Sequence, residues 1–184
     1  MASPLPNQPN ISDPRFLEFC DFLRKVHLPP PIGIDEGEYA DHLAVHEVAV
    51  DPLPGCATGH CWYNCLEQQV AQGGQAVFGW ALWQHEQNFI AQYHAVWKNE
   101  QGQYLDPTPN QSGTATALFM PDNRVPFDID RLRIAANLEW TDRDNYVWFA
   151  GEKDERTFFV SRMMLTFDLK DRVERLRRQL AASA

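Results

Sequence analysis

Gly59-His60-Cys61-Trp62-Tyr63-Asn64-Cys65 is the stretch on which the fold turns, because a helix begins here with a thiol in its first turn. With Thr58 as N-cap the helix runs to about Gln72, and Cys61 takes the third helical position. The first amide N–H groups of a helix have no intrahelical acceptor, and the dipole there favours an anion, so a thiolate is stabilised at that end. Helical spacing gives the buried face as Trp62, Cys65, Leu66, Gln69 and Val70, and Gly73-Gly74 ends the element with residues free to take positive φ.

Three strands follow, over 76–83, 89–98 and 103–106, rich in aromatic and β-branched side chains. Alternation on the middle strand puts Ile90, Gln92, His94 and Val96 on one face, with Ala91, Tyr93, Ala95 and Trp97 on the other. Asn99-Glu100-Gln101-Gly102 is a tight turn. With Gly102 in the left-handed region, Asn99 faces Gln103 and Val96 faces Asp106, which makes His94 a diagonal neighbour of Asp106 at roughly 7 Å between backbones. A two-residue turn would put the two on opposite faces.

Residues 1–11 carry Pro4, Pro6 and Pro9 among polar neighbours and read as a flexible arm; a single domain over 12–184 follows. Asp13-Pro14 opens an amphipathic helix with Phe16, Phe19, Cys20 and Leu23 on its apolar face, ending before Pro29. The proline-rich approach from Leu28 to Gly59 contains one short strand at 44–50. Beyond Pro109, residues 110–116 read as a loop, 128–138 as a short helix, and 146–150 with 157–165 as a strand pair joined across 151–155. The last segment, 168–180, is a helix whose stripe of Leu169, Val173, Leu176 and Leu180 docks on the core. Its Arg172, Arg175, Arg177 and Arg178 read as a solvated face rather than a binding patch.

An apolar fraction of 44% with six tryptophans supports a packed core. A net charge of −9 repels phosphate backbones, so nucleic acid is not an expected partner. The chain shows neither a membrane-spanning apolar run nor a signal peptide, which sets the expectation of a cytoplasmic protein or one exported by another route. On that basis Cys20, Cys56, Cys61 and Cys65 are expected as free thiols.

Cysteine, histidine and carboxylate in that order are the set needed for thiolate attack on an acyl or amide carbon. Cys61 is the candidate nucleophile, His94 the base, and Asp106 the group that fixes the ring. The Cys61 N–H is the natural first oxyanion donor, with Asn64 or His60 as candidates for the second, and Trp62 packs behind the sulfur. His42, His46, His60 and His85 are spare bases, better read as surface or loop histidines. Trp80, Trp83 and Trp97 read as core or cleft wall.

Gly59-His60-Cys61-Trp62, His94-Ala95-Val96-Trp97 and Leu105-Asp106-Pro107-Thr108 resemble the three motifs of the papain-like superfamily, and Leu-Asp-Pro-Thr is closest to its transglutaminase-like branch. The resemblance covers roughly residues 59–109. It implies an α+β fold in which a nucleophile helix packs on an antiparallel sheet, here flanked by N- and C-terminal helices, with Cys61, His94 and Asp106 in the triad roles. It also implies a protein or peptide substrate, cleavage or transfer at an amide through a thioester, and no cofactor or metal. No glutamine lies just upstream of Cys61, where the papain type has its oxyanion donor. Two other classes are carried alongside: a non-catalytic module with the same cleft, and a zinc-binding domain using Cys56, His60, Cys61 and Cys65, whose spacing is unlike paired C-x2-C ligands.

Overall fold

The computed structural model describes residues 6–25, 43–110, 112–122, 127, 129, 133–135, 138–140, 147–148, 152–153, 159–162 and 167–183. It is a mixed α+β structure. Among the described residues the helices are α1 (Pro14–Lys25), α2 (Cys61–Gln72) and α3 (Phe167–Ser183). The first five strands are β1 (His46–Val50), β2 (Gln75–His85), β3 (Asn88–Lys98), β4 (Tyr104–Asp106) and β5 (Thr116–Pro121). They pair in the order β2-β5-β1-β4-β3, and β3 pairs back onto β2, which closes a five-stranded barrel. Every ladder in it is antiparallel except β1 with β4, so the expected purely antiparallel sheet is mixed at one seam. Parallel pairing there follows from connectivity: α2, β2 and β3 all lie between the two strands in the chain.

The β3–β4 turn has Gly102 at φ +80°, and its ladder pairs Trp97 with Leu105 and Lys98 with Tyr104. This is the register expected from a left-handed Gly102. β5 is a correction. Leu118-Phe119-Met120 is a short apolar run behind a polar loop and ahead of Pro121, too brief to show a period, yet it closes the barrel against both β1 and β2. At the crossing with β2, a Cβ on Gly79 would lie 2.2 Å from the Met120 carbonyl oxygen, so only glycine admits that approach.

Three expectations for the second half change. Within the helix expected over 128–138, the described residues instead give β6 (Arg133–Ala135) and the start of β7 (Leu138–Trp140), the other positions lying outside the described residues. β8 (Val147–Trp148) pairs with β7 and extends the main sheet beyond β3. β10 (Phe159–Arg162) pairs instead with β6 and with β9 (Glu152–Lys153), which lies where a plain turn was expected, so 147–148 and 159–162, the described parts of the expected strand pair, belong to different sheets.

α1 packs Phe16, Phe19, Cys20 and Leu23 on the outer face of β2 and β3, among Trp80, Leu82, Phe89, Ala91 and Tyr93. Its first turn is capped as the sequence suggests, Arg15 N–H donating to Asp13 Oδ1 at 2.9 Å. Further along the same face α2 brings Cys61, Cys65 and Leu66 against Ala76 and Ala95, and Leu169, Val173 and Leu176 of α3 pack behind. Val48, Val96 and Phe119 fill the barrel interior. The N-terminal arm is docked where it is described: Asn7 exchanges two backbone hydrogen bonds of 2.8 Å with Gln84.

Candidate functional site

α2 starts later than expected. His60 is the N-cap and makes no side-chain capping bond, Gly59 turns the chain at φ +78°, and Cys61 is the first helical residue. Its N–H therefore lacks an intrahelical acceptor by construction. The buried set is Cys61, Tyr63, Asn64, Cys65 and Leu66; Trp62, Gln69 and Val70 are half-buried, because α3 covers a side of the helix that was expected to face solvent.

The helix is tied to the sheet at both ends. Trp97 Nε1 donates to Gly73 O at 2.9 Å, and Ala76 N–H donates to Gln69 Oε1 at 2.8 Å. At the start, Asp51 N–H donates to Asp106 O (2.9 Å) and Leu53 N–H to Pro107 O (3.1 Å), which holds the approach segment beside the end of β4. Asn64 Nδ2 then joins Ala57 O and Thr108 Oγ1, each at 3.0 Å. Cys61 and Asp106 are thereby fixed to one framework.

β3 supplies the histidine at a break in its pairing. On one side its ladder with β4 stops at Trp97 and the ladder with β7 resumes at Ala91, and His94 lies between. His94 Nε2 is 2.7 Å from Asp106 Oδ2, with the carboxylate 4% and the imidazole 16% exposed. The other ring nitrogen is not used by Asp106, and the Cys61 side chain lies close enough to the ring to bear on its charge. Burial works against a charged ring, but Cys61 and then Asp106 outweigh it and hold His94 well above its usual range. The second carboxylate oxygen, Oδ1, accepts from Thr108 N–H at 2.9 Å, an Asx turn across Asp106-Pro107-Thr108.

These groups line one cavity of about 240 Å³, whose walls include Trp62, Trp83, Gln92, Tyr93 and Asn110. Trp62 stacks on Phe127 with ring centroids 6.0 Å apart, and its buried Nε1 has no hydrogen-bond partner. Trp80 is core, its Nε1 donating to the buried Asp122 at 2.8 Å, while Trp97 is occupied at the end of α2. Gly59, Cys61, Trp62, His94, Asp106 and Thr108 thus lie along one cavity.

Asn64 and His60 do not reach the cavity. Asn64 is fully buried with both amide hydrogens committed, and His60 bonds Arg172 instead, at 3.3 Å through Nδ1, so neither is the second oxyanion donor. Burial, then Arg172, lowers the His60 pKa; burial, then Lys98, does the same for His46. His42 lies outside the described residues.

All four cysteines are free. Burial pushes the Cys20 thiol up to about 11, and burial also raises Cys56 and, further, Cys65. Among the described residues no group of three or more His, Cys, Asp or Glu is placed to hold a metal ion, and Cys56, His60, Cys61 and Cys65 do not converge. Nor is any described helix long and apolar enough to cross a membrane.

Residues that motif reading passed over are Tyr93, which lines the cavity beside Cys61, and Arg172, which reaches the start of α2 from α3. Alternation along β3 places Tyr93 on the face opposite His94, and no local signal marks Arg172. Comparison with protein-family models, with curated proteins and with solved structures returns no match.

Proposed function

We propose that the protein is a cysteine-dependent enzyme of papain-like, transglutaminase-like type that acts on an amide of a peptide or protein through a Cys61 thioester. The observation that carries this reading is the line of Cys61, His94 and Asp106 along one cavity wall, with His94 hydrogen-bonded to Asp106.

The reaction follows from that line. His94 takes the proton of the Cys61 thiol, and Asp106 stabilises the imidazolium that forms. The sulfur attacks the amide carbon, and the carbonyl oxygen gains charge beside the Cys61 N–H at the start of α2. As the C–N bond breaks, the imidazolium returns its proton to the leaving amine. Water, deprotonated by His94, or an incoming amine then displaces the sulfur from the acyl carbon and restores the thiol. A wall of tryptophan, tyrosine and amide side chains, with no charged group beyond the reacting set among the described residues, suits a neutral acyl group.

The test is chemical modification of the folded chain with iodoacetamide at neutral pH, each cysteine being followed by peptide mass spectrometry. Cys61 reacts well ahead of Cys20 and Cys65, and Cys61→Ser abolishes ammonia or amine release from a peptide mixture. A Cys61 that labels no faster than Cys20 sinks the reading.

A further inference from the structure

Arg172 belongs to α3, far along the chain from the reacting groups, yet its guanidinium enters the same network. Nε donates to Glu67 Oε1 at 2.8 Å, and Nη2 donates both to Glu67 Oε2 and to Asn64 Oδ1, the latter at 2.8 Å. Nη1 lies 3.3 Å from His60 Nδ1, and the cation sits 5.7 Å from the centre of the Tyr63 ring. Arg175 adds a second, exposed contact to Glu67 at 3.3 Å. From Asn64 the bonds run on: Nδ2 to Thr108 Oγ1, Thr108 N–H to Asp106 Oδ1, Asp106 Oδ2 to His94.

We propose that Arg172 is a positioning residue for the Cys61–His94–Asp106 line, acting through Asn64 and Thr108, so that the docking of α3 on α2 sets the geometry of the site. The proposal rests on the functional reading above. A primary amide is nearly symmetric in shape, and what decides its orientation is the partner on each side. Arginine only donates, so it fixes Oδ1 toward itself and turns both N–H groups of the fully buried Asn64 toward Ala57 O and Thr108 Oγ1. That bond anchors the residue whose backbone N–H orients the Asp106 carboxylate. Without Arg172, Asn64 Oδ1 loses this donor inside the protein, and Asn64 can rotate or draw the start of α2 out of line.

The experiment compares wild type, Arg172→Met, Thr108→Val and the double variant, each checked for folding by circular dichroism, for the rate and pH profile of Cys61 alkylation by iodoacetamide. Thr108→Val cuts the relay beyond Asn64 and leaves the Arg172–Glu67 contact whole. Each single change lowers the Cys61 rate at neutral pH by about tenfold, as expected for displacement of a reacting pair, and moves the profile to higher pH. Because both cut one relay, the double variant falls no further than the slower single. A folded Arg172→Met with the wild-type rate and profile, or losses that multiply in the double variant, overturns the proposal. Should Arg172→Met fail to fold, Thr108→Val decides alone, and the wild-type rate in that variant overturns the relay. Wild-type Cys61 labelling no faster than Cys20 is a different result, and it removes the enzyme reading and the relay together.

Discussion

Asp106→Asn keeps the side chain's shape and removes its charge, and the structure fixes what the new amide does. Thr108 N–H points at Oδ1 from 2.9 Å, so the carbonyl of the asparagine turns to Thr108 and the NH2 turns to His94 Nε2. Nε2 must then accept, which confines the ring proton to the nitrogen facing Cys61; the ring can no longer take the proton of the thiol. The imidazolium form also loses a charge-assisted bond, which in proteins contributes about 1.5–3 kcal/mol. At about 1.4 kcal/mol per factor of ten, the reactive form of Cys61 falls about 10- to 100-fold. The assay is the initial rate of Cys61 carboxamidomethylation at neutral pH in the folded variant, with Cys20 as internal reference and urea melting as the check on folding. A variant that labels at the wild-type rate would show that Asp106 does not govern the His94 proton, and the role assigned to it would be wrong.

Two further expectations concern the framework. Gly79→Ala places a Cβ 2.2 Å from Met120 O and forces β2 and β5 apart; the loss is about 1–3 kcal/mol in urea melting, and a change under about 0.5 kcal/mol would mean the barrel is looser at this crossing than its contacts indicate. Glu67 is opposed by its own burial, but its hydrogen bonds to Arg172 and the charges of Arg172 and Arg175 bring its pKa below the usual 4.5, so it contributes stability above that pH and loses it as pH falls through the folded value. The stability difference between wild type and Glu67→Gln therefore shrinks on acidification below about 4.5, and a difference independent of pH would count against the ion pair.

What the sequence made legible was local or periodic. The Gly102 turn fixed a register, the register set His94 diagonal to Asp106, and the helical stripe of α3 identified Leu169, Val173 and Leu176 as buried. Each rests on neighbours within a few residues or on a repeat of two or 3.6. The start of α2 was misplaced because Thr58 is a good capping residue by type, whereas the turn through Gly59 is set by the hydrogen bonds that tie 51–57 to 106–108 and to Asn64. β5 was lost for the opposite reason: its Leu118-Phe119-Met120 alternates between the barrel interior and the face under α1, so both sides are buried and no polar phase marks it. Arg172 shows the limit of composition. Four arginines on a C-terminal helix satisfy the rule for a solvated face, and Arg175 and Arg178 keep to it. Arg172 differs only because Glu67 and Asn64 stand opposite, 105 and 108 positions earlier in the chain. A pairing that distant leaves no trace in local spacing, and so the residue that holds the candidate site from behind is visible only once the helices are packed.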